Sequence, residues 1–379
     1  MVPGVGLEPT RPCDRGILSP LRLPFRHPGR NIKLAFALRW QFVRAHLSVL
    51  ERNLAQSIET GVELHDSRTS IGLVLTDGAF VGVAEIAPQR LSLNGDAALV
   101  DLLEHLERIA IPRFLSVRTR NAHHPYWAQI PALFGNDSVS RASAALIEGA
   151  LYDGEVRQLG VEQPNVLRGI VTGSLLGSPY IPPVTPSVSM VRVKVSPSVD
   201  SSAFESLQRL KTPVVLDYNA SCPTVSQVRE HVALASAHCP VAFVEQIGVV
   251  GDYTAHYQLR DSGIHLSLDE SIRSMQDIRN VVRYEAAAYI CIKPARVGGR
   301  SIARAMIEEA LQQGLTPYVG GFFETAMGRY ANAELVSQFN LGPSDVLLEG
   351  QVVTRADFEK VRDSIIANEW APVGIFGGP

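Results

Sequence analysis

Lysine is scarce in this chain of 379 residues, because only five of its 35 basic residues are lysines and the rest are arginines. Two of the five, Lys194 and Lys293, end short apolar stretches that have the character of buried strands. A buried ammonium group costs desolvation energy unless a partner or a function holds it in place. These two lysines are therefore the first candidates for catalytic residues.

Other features are also missing. The four cysteines show no C-x-x-C spacing, which argues against a zinc knuckle or a disulfide framework and predicts a reducing, cytoplasmic location. The net charge of −3 gives no electrostatic reason to bind nucleic acid or an anionic membrane surface. No apolar run approaches the roughly 18 to 20 residues that span a bilayer. We therefore expect neither nucleic acid nor membrane as a partner, and a homo-oligomer is compatible with the sequence.

The chain divides into four predicted parts. Residues 1–34 are rich in Pro, Arg and Gly and predict a disordered extension or a wrongly assigned start. Residues 35–165 predict an α+β domain, and residues 166–349 predict a (β/α) barrel. Residues 350–379 are expected to return to the α+β domain.

The α+β domain is predicted from local signals. Asp77-Gly78 between two apolar runs is a strong hairpin signal. Residues 96–109 and 140–159 have helical spacing of their apolar residues. The polar segments 51–68 and 88–95 are predicted to be loops.

Short β-branched strands alternate with helices in the region 166–349, which is typical of a parallel sheet covered by helices. The predicted strands are Met190–Val195, Pro213–Asn219, Val241–Glu245, Leu266–Asp269, Ala288–Lys293 and Thr316–Gly320. Five of these strands have a polar residue at or near their carboxyl end, at intervals of 23 to 28 residues, which is about one βα unit: Lys194, Asp217, Glu245, Asp269 and Lys293. A (β/α) barrel builds its active site from such strand ends.

Three of these residues, Asp217, Glu245 and Asp269, would repel one another at the mouth of the barrel. A hard divalent cation resolves that repulsion, and oxygen ligands favour Mg²⁺, with Mn²⁺ as the alternative. Lys194 and Lys293 would flank the metal and remove a proton next to a substrate carboxylate. Arg192, on the same strand face as Lys194, and the metal itself would lower the pKa of the lysine.

Together, these residues resemble the enolase superfamily, in its muconate-lactonizing-type subgroup and closest to the o-succinylbenzoate synthase and N-acylamino-acid racemase branch. The resemblance rests on segments 192–194, 217–219, 245, 269–270, 293–299 and 320–329, with 82–88 and 140–153 in the capping domain. It implies a (β/α)7β barrel of the TIM type with an N-terminal α+β capping domain. It also implies that Asp217, Glu245 and Asp269 bind Mg²⁺, that Lys194 is the catalytic acid or base, and that Lys293 is the lysine opposite.

The resemblance leads to a main hypothesis and several rivals. The main one is an o-succinylbenzoate synthase-type lyase of menaquinone biosynthesis, acting on a small carboxylate. An N-acylamino-acid racemase is the first alternative. A dipeptide epimerase or cycloisomerase is another, although no D-x-D follows the last strand. A catalytically degenerate barrel that acts as a binding protein is the alternative from a different class. One departure is Arg192, where the family usually has a lysine.

Several further residues are candidates for contacts with the substrate or for support of the site. Asn219 is expected to support a ligand or to stabilise its turn. Glu270 is expected to contact the metal ligands. Gly320 and Glu324 belong to the motif 320–329 at the end of the last predicted strand, where Glu324 is expected to fix the loop geometry. Arg68 is a candidate partner for a substrate carboxylate.

Overall fold

The computed structural model describes residues 43–59, 64–118, 127–160, 163–166 and 168–376. The predicted extension over residues 1–34 lies outside these described residues. The strands are β1 (Arg44–Glu59), β2 (Leu64–Thr76), β3 (Val81–Ile86), β4 (Gly169–Ser174), β5 (Val188–Lys194), β6 (Val214–Asp217), β7 (Val241–Glu245), β8 (Leu266–Leu268), β9 (Tyr289–Ile292), β10 (Thr316–Val319), β11 (Leu347–Leu348), β12 (Gln351–Val352) and β13 (Ala371–Phe376).

The helices are α1 (Leu99–His105), α2 (Ile111–Arg118), α3 (Ser138–Glu155), α4 (Val225–Ser236), α5 (Thr254–Leu259), α6 (Met275–Arg283), α7 (Pro294–Val297), α8 (Arg300–Gln312), α9 (Ala326–Phe339) and α10 (Arg355–Ile366). A π-helical turn, Leu106–Ala110, joins α1 to α2, and 3-10 turns cover Trp127–Leu133, Arg157–Leu159 and Ser201–Arg209. Within the described residues, none of the helices is long and apolar enough to cross a membrane.

The first layer is an antiparallel sheet of four strands in the order β13-β1-β2-β3. The predicted hairpin is confirmed, because Thr76 of β2 pairs with Val81 of β3 on either side of Asp77-Gly78. Helix α3 packs on this sheet through apolar residues such as Ala142, Leu146 and Ala150, which form one core with the sheet. The last strand, β13, pairs with β1, so the end of the described chain lies in this sheet.

The predicted loop over residues 51–68 is wrong. Residues 51–59 continue β1 and residues 64–68 begin β2, with Arg52 opposite Arg68 in an antiparallel ladder. Most side chains in this part of the ribbon are exposed or half-buried. Its sequence therefore lacks the apolar alternation that marks a strand with one buried face.

Seven parallel strands form the second sheet, in the order β10-β9-β8-β7-β6-β5-β4. The segment Ser344–Asp345 bonds to both edges of this sheet. Ile170 N donates to Ser344 O at 2.8 Å, and Asp345 N donates to Val319 O at 2.8 Å. The segment therefore bridges the first and last strands and curls the sheet into a barrel, which confirms the predicted TIM-like fold.

The side chains of each barrel strand alternate between two buried layers. Val191, Val193 and Leu216 belong to the apolar layer beneath the outer helices, whereas Val215, Phe243, Cys291 and Tyr318 pack together inside the barrel. Successive residues of a strand point to opposite faces. Residues two positions after the interior ones, such as Asp217, Glu245 and Lys293, are therefore carried to the mouth of the barrel.

Candidate active site

Residues at or just after the carboxyl ends of β5, β6, β8 and β9 line one cavity of about 60 Å³ at the mouth of the barrel. Its wall includes four cationic and two aromatic side chains: Arg192, Lys194, Lys293, Arg296, Phe322 and Phe323. A larger cavity of about 100 Å³, between β3, α3 and α9, includes neither predicted catalytic lysine. The predicted metal ligands Asp217, Glu245 and Asp269 are not among the lining residues of either cavity. The cavity at the barrel mouth is therefore the candidate active site.

Both lysines are buried and each contacts one carboxylate. Lys194 Nζ lies 2.5 Å from Asp217 Oδ2, and Lys293 Nζ lies 2.8 Å from Asp269 Oδ2. Burial alone would lower the pKa of Lys293, but the Asp269 carboxylate outweighs burial and raises that pKa above its usual range. Lys293 is therefore held as a cation in this arrangement.

The carboxylates differ in their surroundings. Burial raises the pKa of Glu245 to about 8; Arg192 opposes this shift, whereas repulsion from Asp217 and Asp269 adds to it. Burial would also raise the pKa of Asp269, but Lys293 and Arg296 outweigh it and hold that pKa well below its usual range. Glu245 is thus the carboxylate whose charge is least compensated.

Several buried oxygen atoms at this site have no hydrogen-bond donor within the described part of the chain. They are both carboxylate oxygens of Glu245, Asn219 Oδ1 and Glu270 Oε2. Buried polar atoms almost always have a partner, and oxygen atoms of this kind are what Mg²⁺ binds. The residues present therefore fit a hard divalent cation.

The three predicted metal ligands are not equivalent. Among the described residues, ligand atoms of Glu245 and Asp269 lie within 4.8 Å of each other and of Cys291 Sγ. Asp217 is absent from this group. Its Oδ2 accepts from Lys194, and its Oδ1 accepts from Asn219 N at 2.9 Å. The role of Asp217 as a third ligand stays a prediction.

Four predicted supporting residues lie beside these groups. Arg192 Nε is 3.1 Å from Glu245 Oε2, and Asn219 Nδ2 donates to Glu270 Oε1 at 3.1 Å. A Cβ at Gly320 would lie 2.3 Å from Cys291 Sγ, so only glycine fits against the interior of the barrel there.

Arg68 and Glu324 do not line the cavity; both hold the loop that does. Arg68 donates to the carbonyl oxygens of Ala87, Pro88 and Phe322 at 3.0 to 3.2 Å. Glu324 Oε1 accepts from Phe322 N at 2.8 Å. The two side chains therefore fix the backbone that presents Phe322 to the cavity, as expected for Glu324 but not for Arg68.

Two residues that complete the ion-pair network were not predicted from the sequence. Arg296 NH1 donates to Asp269 Oδ1 at 2.6 Å, while its Nε and NH2 each donate to Asp96 at 2.8 Å. Arg296 lies inside the segment 293–299 that carried the resemblance, but nothing in the sequence indicated its partner 200 residues earlier. Asp345 was also missed; it contacts Arg192 and Arg329.

The chain is similar in sequence to several known proteins. A model of a domain of unknown function, the DUF8230 C-terminal domain, matches residues 185–349. The o-succinylbenzoate synthase of Bacillus subtilis is 25% identical over 324 residues, which cover 79% of this chain and 83% of that protein. The N-succinylamino acid racemase of Thermus thermophilus is 24% identical over 317 residues, covering 77% and 82%.

The fold also matches solved structures. A member of the enolase superfamily from Listeria innocua superposes with a TM-score of 0.69 and 18% identity, over 89% of this chain and 98% of that one. These findings confirm the predicted resemblance to the enolase superfamily and the predicted fold. They also agree with an enzyme of the lyase or racemase class, since the relatives found by sequence carry such names.

Proposed function

We propose that the protein is a Mg²⁺-dependent lyase of the o-succinylbenzoate synthase type. It would remove the proton next to the carboxylate of a cyclohexadiene substrate and then eliminate hydroxide, as a cytoplasmic step of menaquinone biosynthesis. The observation that carries the proposal is the pair Lys194 and Lys293. Their strands, β5 and β9, are separated by three others, yet both side chains line one cavity. The similarity to o-succinylbenzoate synthases supports the choice of reaction.

Lys194 is the group proposed to take the proton at Nζ. Asp217, 2.5 Å away, would stabilise the ammonium that the transfer produces. Lys293 is proposed to remain a cation and to stabilise negative charge on the substrate. Its Nζ lies 2.8 Å from Asp269 Oδ2 and 4.6 Å from the centre of the Phe322 ring, and both neighbours favour a positive charge.

Asp217, Glu245 and Asp269 are the residues proposed to hold Mg²⁺, with Mn²⁺ as the alternative. When bound, such an ion supplies positive charge next to the substrate carboxylate, as enolase-superfamily sites do. Both carboxylate oxygens of Glu245 lack a hydrogen-bond donor among the described residues, which supports the proposed metal site. The cationic wall of Arg192, Lys194, Lys293 and Arg296 suits an anionic small molecule, and Phe322 and Phe323 add apolar surface.

An N-acylamino-acid racemase is the second candidate. Two lysines that reach one cavity from separate strands could act on opposite faces of a substrate, and one of the sequence relatives is an N-succinylamino acid racemase. This candidate requires Lys293 to leave Asp269 and accept a proton. The pairing of Lys293 with Asp269 and Phe322 weighs against it.

Purified protein with Mg²⁺ should convert the cyclohexadiene carboxylate, and Lys194→Ala should not. Absence of turnover together with rapid racemisation of an N-succinylamino acid would favour the second candidate. Deuterium exchange into each enantiomer separates the two mechanisms, because a two-base racemase loses exchange on one face in Lys293→Ala. Absence of both activities and of any thermal shift with Mg²⁺ or Mn²⁺ would favour a binding protein.

A further inference from the structure

Arg192 lies among the residues proposed to bind the metal. Its side chain is buried, and its Nε lies 3.1 Å from Glu245 Oε2 and 3.8 Å from Asp217 Oδ2. Its NH1 donates to Asp345 Oδ2 at 3.4 Å. One guanidinium group therefore contacts two of the three proposed metal ligands. It also donates to Asp345, which is not a proposed ligand.

Arg192 contacts Glu245 and Asp217 as ion pairs without well-formed hydrogen bonds. Nε and NH2 of Arg192 have no hydrogen-bond acceptor among the described residues, and both oxygens of Glu245 have no donor. The charges nevertheless lie close together in a site that water barely reaches. Attraction between them is therefore strong and little screened.

The other two proposed ligands also have cationic partners. Asp217 pairs with Lys194, and Asp269 pairs with Lys293 and Arg296. The affinity of an oxygen site for a divalent cation increases with the uncompensated negative charge of its ligands. Of these cations, Arg192 is the one that contacts Glu245, the carboxylate with two donor-free oxygens.

We infer that Arg192 is a built-in counter-ion of the metal site, which compensates part of the negative charge of Glu245 and Asp217 and lowers the affinity for a divalent cation at least tenfold. This inference rests on the metal-dependent function proposed above. Arg192 is a positioning residue in this account, since it acts on the metal through the ligands. Arginine suits the task because its guanidinium keeps its charge throughout the physiological pH range and its fork can contact several carboxylates at once.

The test compares the affinities of full-length variants for Mg²⁺ and Mn²⁺ by calorimetric titration. Arg192→Gln and Arg192→Met remove the charge and should bind each ion at least ten times more tightly than the unmodified protein. Arg192→Lys keeps the charge and should stay within about threefold of it. The neutral variants should also show a larger rise in melting temperature on adding metal. Gln can donate to Glu245 and provides a second neutral variant if Met prevents folding.

Arg157→Gln is the matched control. Arg157 is equally buried and also contacts two carboxylates, Asp153 and Glu334, but neither is a proposed metal ligand. Its substitution should leave the metal affinity unchanged. Equal or weaker binding in the neutral Arg192 variants would overturn the inference while leaving the metal site intact, as would equal tightening in Arg192→Lys. Absence of binding in every protein would overturn the metal-dependent function, and the inference with it.

Discussion

Glu148 gives the sharpest prediction about stability. This residue of α3 is fully buried, and its Oε1 accepts from Ser301 N at 2.9 Å, at the start of α8. Its Oε2 has no hydrogen-bond donor among the described residues. Burial raises the pKa of Glu148 from 4.5 to about 7, and the hydrogen bond from Ser301 and the charge of Arg300 offset this only in part.

The sign of the effect follows from linkage. A carboxyl group with a raised pKa in the folded state contributes stability that is fully present below its unfolded pKa, near 4.5, and is lost as the pH rises through about 7. Each pKa unit corresponds to about 1.4 kcal/mol. Integrated between pH 5 and pH 8, Glu148 should therefore lower the free energy of unfolding by about 2.5 kcal/mol.

Glu148→Gln removes this ionisation while keeping the shape of the side chain and an acceptor for Ser301 N. Urea denaturation of both proteins at pH 5, 6, 7 and 8 gives the quantity of interest, the change in their stability difference with pH. The variant should gain about 2.5 kcal/mol on the unmodified protein across this range. Any constant cost of the amide cancels in that comparison. Glu104→Gln, at an exposed glutamate of the same layer, should show no such gain. Parallel stability curves for Glu148→Gln and the unmodified protein would refute the reasoning.

Three further outcomes test the site and its support. Lys194→Ala should lower kcat by about 10²- to 10⁴-fold with an unchanged circular dichroism spectrum, and a rate near that of the unmodified protein would exclude Lys194 as the base. Asp269→Asn leaves the buried Lys293 without its carboxylate and Arg296 with Asp96 alone, and it should lower the free energy of unfolding by about 3–5 kcal/mol in urea denaturation. Gly299→Ala places a Cβ 1.7 Å from Glu148 Oε2 at a φ of +125° and should cost about 1–3 kcal/mol. Part of that cost should disappear in a Glu148→Ala background, and an equal cost in both backgrounds would exclude the clash as its cause.

The strand ends of the barrel could be predicted because the parallel (β/α) repeat has a nearly fixed length. Polar residues at intervals of one βα unit, on strands with a period of two, must meet at the same mouth. The strands observed there, β5 to β9, agree with those predicted to within a few residues. The first barrel strand, β4, was not predicted. It contains Thr172, Gly173 and Ser174, so its sequence resembles a loop as much as a strand.

The pairings within the site could not be predicted, because they depend on contacts between residues that are distant in sequence. Lys194 was expected to flank a metal, whereas its Nζ lies on Asp217. The contact of Arg296 with Asp96 joins residues 200 positions apart. The outer part of the β1–β2 ribbon was missed for a different reason, since its polar faces give no hydrophobic period.

The choice between the two candidate reactions depends on Lys293. A lyase needs this residue only as a fixed positive charge, whereas a two-base racemase needs it to release and accept a proton. Its contacts with Asp269 and the Phe322 ring both stabilise the charged form. Phe322 is in turn held through its backbone by Arg68 from β2 and by Glu324. Through Arg68, the four-stranded antiparallel sheet thus helps to keep Lys293 cationic. For this reason we favour the lyase.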